Sequence, residues 1–161
     1  LITSKVTRRW VLPKGTVKAG LDPRASAQEE AFEEAGVGGH VAPRCIGTYG
    51  YAKKNGKRGQ FCLVRVYPLR VLRLSADWPE RRQRRREWAT FSTASARVHE
   101  PALKRILRGF EQRLKLQLRA RPHRDSGAGE PWHWGEVFVY IPVFVYILAA
   151  TRLTGQSRPD E

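Results

Sequence analysis

Glu30, Glu33 and Glu34 are the residues of this chain whose types and spacing most directly imply chemistry. On a helix advancing about 100° per residue they fall within one narrow face. Carboxylates so placed repel one another, each like pair costing roughly 0.2–0.5 kcal/mol on a solvated helix. No Lys or Arg lies within the helix expected over Ala27 to Ala35 to relieve them. A hard divalent cation would. Oxygen-only ligands suit magnesium or manganese, which keep several waters and share the remaining coordination with phosphate oxygens. A run of this type on a short helix serves more commonly as a solvated acidic face. Two features move the balance toward metal: the formal charge of +15, against which an acidic face is out of keeping, and a glycine loop just upstream, Pro13-Lys14-Gly15 through Gly20.

The elements that must position these carboxylates can be sketched from pattern. Leu1 to Thr3 and Trp10 to Leu12 are short apolar runs on either side of a basic turn, the second stopping at Pro13, and both are expected as strands. Residues 13 to 24 hold further Gly and Pro and little periodicity, which predicts a structured loop. Ser26 is expected to cap the helix, with Glu29 completing a capping box and Gly36 supplying the stop. Cys45 to Ala52 and Gln60 to Leu74 read as strands joined at Asn55-Gly56. Pro101 opens a helix through about Leu118, with Leu103, Ile106, Leu107, Phe110 and Leu114 on a core-facing stripe. These elements make a mixed α+β plan. Residues 119–136 read as a linker and 137–161 as an apolar segment with a polar tail of unknown role, which leaves 1–118 as the domain. The run Val137 to Ala150, broken by Pro142, is too short for an unbroken helix across a bilayer, so no transmembrane span is expected.

With 161 residues and 41% apolar content, one domain with a real core is the expectation. The 30 Lys and Arg against 15 Asp and Glu imply an anionic partner, and nucleic acid, polyphosphates and anionic lipid all qualify. Cys45 and Cys62 lack the spacing of a zinc site and are expected to be buried apolar side chains. Nothing marks secretion, which makes the cytoplasm the default compartment. A chain that opens within an apolar stretch and contains no Met reads as a fragment or a processed product. The four histidines are scattered without ligand spacing. The basic clusters are Lys53, Lys54, Lys57 and Arg58 around the hairpin turn, and Arg81, Arg82, Arg84, Arg85 and Arg86. Lysines and arginines of the first kind commonly decorate a hairpin edge, while guanidinium forks suit multiple phosphates.

Taken in one register, Gly15, Glu30, Ala31, Glu33, Glu34, Gly36 and Val37 resemble the signature of the Nudix hydrolases: Gly, five residues, Glu, seven residues, Arg-Glu, an aliphatic residue, any residue, Glu-Glu, any residue, Gly, an aliphatic residue. The approach Arg9-Trp10-Val11-Leu12-Pro13-Lys14-Gly15 is similar to that of diadenosine and diphosphoinositol polyphosphate hydrolases, and Arg86-Glu87-Trp88 extends the likeness more weakly. The resemblance implies an α/β/α sandwich with a mixed sheet, here expected to be short of its first strand. It also implies magnesium-dependent, with manganese as a substitute, hydrolysis of a phosphoanhydride bond in a small polyphosphorylated substrate. By the same resemblance Glu30, Glu33, Glu34 and the Gly15 carbonyl would hold the metal, Glu30 is the first candidate for general base with Glu87 and Glu100 as alternatives, and Lys14 with Arg81, Arg82, Arg84, Arg85 and Arg86 would bind substrate phosphates. Two positions depart from the signature: Leu21 stands at its first Glu and Glu29 at its Arg. That Arg is thought to orient the carboxylates, so their orientation here must come from elsewhere. The departures and the charge also permit a catalytically impaired domain that binds nucleic acid or nucleotides through its basic surface.

Overall fold

The computed structural model describes residues 1–55, 58–119 and 146–154, with side chains other than those of 53–60, 118 and 146–154. In chain order the elements are β1 (Ile2–Thr3), β2 (Trp10–Val11), β3 (Lys14–Thr16), α1 (Pro23–Ala35), β4 (Val37–Val41), β5 (Gly47–Asn55), β6 (Arg58–Leu74), α2 (Phe91–Arg97), α3 (Pro101–Arg119) and β7 (Tyr146–Thr154).

Strand β6 organises the rest. Its first half pairs antiparallel with β5 and its second half with β4, while β7 lies along its other edge and pairs in turn, parallel, with β3. Side chains on a strand alternate between faces. Val64 and Val66 therefore point to one side, into a core with Tyr49, Val98, Leu103, Leu107 and Phe110. Tyr67 and Leu69 point to the other, against Ala27, Ala31 and Ala35 of α1. The α/β/α sandwich and its mixed sheet follow from these two cores, with α1 on one face and α2 and α3 on the other.

Helix α1 begins earlier than expected. Asp22, not Ser26, is the N-cap; its Oδ1 accepts the amides of Arg24 and Ala25 at 2.6 and 2.9 Å. Pro23 fits the first helical position, where no N–H is needed and a fixed φ is an advantage. Ser26 is thereby drawn into the first turn and fully buried. At the other end Gly36 adopts φ 63°, and its N–H closes on Phe32 O at 2.8 Å. A side chain there would also strike the Trp78 ring, 2.8 Å from where a Cβ would stand.

Three expectations change. Cys62 is buried as anticipated, but Cys45 is exposed in the β4–β5 connection and donates to Gly47 O at 3.0 Å. The stretch 13–24 contributes the short strand β3. Tyr146–Thr154, assigned from sequence to a segment outside the domain, stands within the sheet between β3 and β6. Its register runs from Cys62↔Thr154 to Arg70↔Tyr146. Residues 120–145, which hold most of the expected linker and the start of the apolar run, lie outside the described residues, as do 155–161 and the side chains of Lys53, Lys54, Lys57 and Arg58. Among the described residues, no helix is long and apolar enough to cross a membrane.

Candidate active site

The Gly loop and α1 meet where the sequence placed its chemistry. β3 passes over α1 so closely that a Cβ on Gly15 would overlap the Glu30 carboxyl group. Any side chain at position 15 would displace that carboxyl from its place against the β3 backbone. Among the described residues no hydrogen bond or ion pair engages the Glu30 carboxylate. Burial first, then the charges of Glu34 and Glu33, push its pKa from 4.5 up to about 7.

The neighbouring carboxylates are held by cations that the sequence reading did not assign to them. Glu34 is 7% exposed. Its Oε2 accepts the Lys14 amide at 2.8 Å, and its Oε1 accepts the Arg84 guanidinium. Arg84 also donates to Glu80 at 2.5 Å and to Thr3 O at 3.0 Å, which ties β1, the arginine-rich segment and α1 into one buried network. Glu80 is a further carboxylate of this cluster; burial pushes its pKa up, but Lys5 and Arg84 outweigh that and hold it below the usual range. Glu33 turns instead toward Lys18, which bridges Glu33 and Glu29 at 2.7 Å each. The relief expected from a metal alone is thus shared with two protein cations. Among the described residues no three carboxylate, histidine or cysteine groups already converge as a ready cation cage. The donor set nonetheless fits a hard divalent ion: it is all oxygen, Glu30 has no protein partner among the described residues, and the Gly15 backbone lies against its carboxyl.

The five clustered arginines divide in two. Arg84 and Arg86 turn inward. Arg86 donates to Ala35 O at 2.6 Å and stacks on Trp78, its guanidinium 4.3 Å from the ring centroid, so it caps the C-terminal end of α1, where a cation complements the helix dipole. The Glu80 amide donates to Glu33 O at 3.1 Å in the same turn. Arg81, Arg82 and Arg85 are exposed. The pairing of Thr3 with Arg85 and a 2.8 Å bond from Arg8 to Gln83 O set them beside the basic turn between β1 and β2. Lys14 lies over the Tyr51 ring, 5.5 Å from its centroid. Glu87 is paired with Arg97, and Glu100 immediately precedes α3.

Sequence reasoning missed Lys18, Glu80 and the inward roles of Arg84 and Arg86. Lys18 carried only a weak signal, as a loop lysine upstream of an acidic helix with Arg24 nearer to it in the chain. The pairing of Arg84 with a residue fifty positions away carried none.

The Arg84 network makes a stability prediction. Removing one partner of a buried ion pair leaves the other charge uncompensated. Arg84→Ala is therefore expected to destabilise the protein by roughly 3 kcal/mol. Urea unfolding of parent and variant measures it, and a loss below about 1 kcal/mol, the value of an exposed pair, would show that the cluster is solvated.

Comparison with known proteins gives a consistent set of relatives. Nudix hydrolase 12, mitochondrial, of Arabidopsis thaliana is 28% identical over 147 residues, covering 83% of this chain and 72% of its own length. Nudix hydrolase 16, mitochondrial, of the same plant is 31% identical over 116 residues, covering 68% of this chain and 63% of its own. Diphosphoinositol polyphosphate phosphohydrolase 3-beta of Bos taurus is 30% identical over 118 residues, covering 71% of this chain and 66% of its own. The chain thus spans slightly less than two thirds of the last two. No family model matches the chain, and no solved structure does.

Proposed function

Because the chain belongs to the Nudix hydrolase family, we propose that it hydrolyses a phosphoanhydride bond in a small polyphosphorylated substrate, with magnesium, or manganese in its place, as cofactor. The observation that carries this reading is the Glu30 carboxyl: set against Gly15, without a protein partner among the described residues, and raised to about 7 by burial and by Glu34 and Glu33. Glu30, Glu33 and Glu34, with the Gly15 carbonyl, would hold the ion. When bound, the ion neutralises charge on the diphosphate and acidifies a coordinated water.

The chain's own groups do the remaining work. Glu30, whose carboxyl lies against Gly15, is the candidate to accept the proton of the attacking water. Arg81, Arg82 and Arg85 are exposed and would bind outlying phosphates; Lys14 would approach the diphosphate from β3. Arg84 and Arg86, which the sequence grouped with them, instead hold Glu34 and cap α1. Diphosphoinositol and dinucleoside polyphosphates are the substrates to which this concentration of arginine is best suited. The exposed free thiol of Cys45 is in keeping with a reducing compartment such as the cytoplasm.

Release of phosphate or nucleotide from dinucleoside polyphosphates, diphosphoinositol polyphosphates and nucleoside triphosphates, with magnesium, with manganese and with chelator, tests the proposal. Cleavage of one class, abolished by chelator, is expected. A folded protein that cleaves none of them yet binds polyanions in a salt-sensitive way would replace it with the impaired binding domain.

A further inference from the structure

We propose that Lys18 is the positioning residue for the carboxylate face of α1, supplying from the preceding loop the cation that the signature places on the helix at position 29. This inference rests on the reading of Glu30, Glu33 and Glu34 as the metal site. Position 29 is Glu here, so the expected cation is not merely absent; a negative charge has been added beside Glu30 and Glu33. Lys18 lies where it can answer that change. Its amide donates to the Oγ of Ser26, which is fully buried in the first turn of α1, at 3.0 Å. That bond fixes the loop against the helix one turn before Glu29. From this anchor its ammonium reaches both Glu29 and Glu33 at 2.7 Å, and both pairings raise its pKa. Positions 26, 29 and 33 follow one another along a single helical face, so one lysine can hold both carboxylates.

The three side chains are 38%, 45% and 41% exposed. Ion pairs that exposed add little to stability. What the bridge fixes is direction: Glu33 is held in one orientation on the shoulder of the site, next to the Glu30 carboxyl, while Arg84 holds Glu34 on the far side. Two cations from outside α1 thus do together what one on the helix would do alone.

Lys18→Ala, Lys18→Arg and the double variant Lys18→Ala with Glu29→Arg test the assignment. The readouts are the affinity for Mn2+ alone, followed by the paramagnetic signal of the free ion, and kcat and KM on a dinucleoside polyphosphate and a diphosphoinositol polyphosphate. A cation that is merely nearby competes with metal, so its removal would tighten Mn2+ binding. A positioning cation gives the opposite sign. Lys18→Ala is expected to weaken Mn2+ binding severalfold and lower kcat about tenfold or more, consistent with the cost of misplacing a catalytic group, with KM little changed. Lys18→Arg should retain both, and Glu29→Arg should recover most of the loss in the Lys18→Ala background by returning the cation to the helix. Tighter Mn2+ binding, an unchanged kcat, or no recovery in the double variant would overturn the proposal. Glu33→Gln, measured alongside, separates the two levels: if it alters neither Mn2+ affinity nor turnover, the metal-site reading itself has failed. If it alters both while Lys18→Ala alters neither, only the role of Lys18 falls.

Discussion

Glu30→Gln is expected to lower turnover by about three orders of magnitude, in the range of a general base's contribution, and yet to raise the melting temperature of the metal-free protein at pH 8. The first effect follows from removing the one carboxylate of the cluster that lies against Gly15 without a protein partner among the described residues. The second follows from its protonation. A carboxyl whose pKa rises from 4.5 to about 7 on folding is disfavoured in the folded state when ionised. Its contribution is therefore fully favourable below 4.5 and is lost as the pH climbs through 7. The full shift corresponds to roughly 3 kcal/mol, and screening at a half-buried position reduces this to on the order of 1–2 kcal/mol. Glutamine carries no charge to penalise. The stability gain should be plain at pH 8 and vanish near pH 4, and added Mg2+ should stabilise the parent more than the variant. Thermal melts at the two pH values, with and without Mg2+, check this. Turnover within about threefold of the parent, set against the 10²–10⁴ range for such groups, would remove Glu30 from the machinery; equal melting at pH 8 would show that its ionisation is not opposed.

Ending the chain after Arg119 is expected to abolish cooperative folding. The truncation removes β7, which is antiparallel to β6 from Cys62 to Arg70 and parallel to β3 from Lys14 to Thr16. Both neighbours would keep an unpaired edge, and β3, which carries Gly15, would lose its link to the sheet. At about 1 kcal/mol net per ladder hydrogen bond, the loss is on the order of 5–10 kcal/mol, comparable with the whole stability of a domain. Circular dichroism against urea should show a sloping, uncooperative loss of signal. A truncated protein that unfolds in one sharp transition and turns over at the parent's rate would show instead that residues 1–119 form the complete catalytic unit.

What could be read in advance divides along physical lines. The stripe Leu103, Leu107 and Phe110 was legible because an amphipathic helix repeats its burial every three or four residues, and all three are buried. The carboxylate face was legible because Glu30, Glu33 and Glu34 recur at helical spacing and so share one face. The cap was misplaced by one turn because Ser26 and Asp22 are both good caps, and the neighbouring Pro23 decides between them. β4 escaped notice because Val37-Gly38-Gly39-His40-Val41 offers no clean alternation, and its register shifts between Gly38 and Gly39. β7 was read as a foreign apolar segment because nothing local reports a partner as distant as Lys14. For the same reason Arg84 and Arg86 were grouped with their exposed neighbours, although one pairs with Glu34 and the other caps α1.

The position of β7 also sets the order in which the molecule can be assembled. The β5–β6 hairpin joins residues near one another in the chain, from Asn55↔Arg58 outward, and can form early. Lys14 meets Ala150, and Cys62 meets Thr154. Pairings at that separation carry a loop-closure cost before they return any stability, and they slow folding accordingly. Until residue 154 has been synthesised, the loop bearing Gly15 lacks the strand that ties it to the sheet. The waiting chain presents the β6 edge to any neighbour able to extend it.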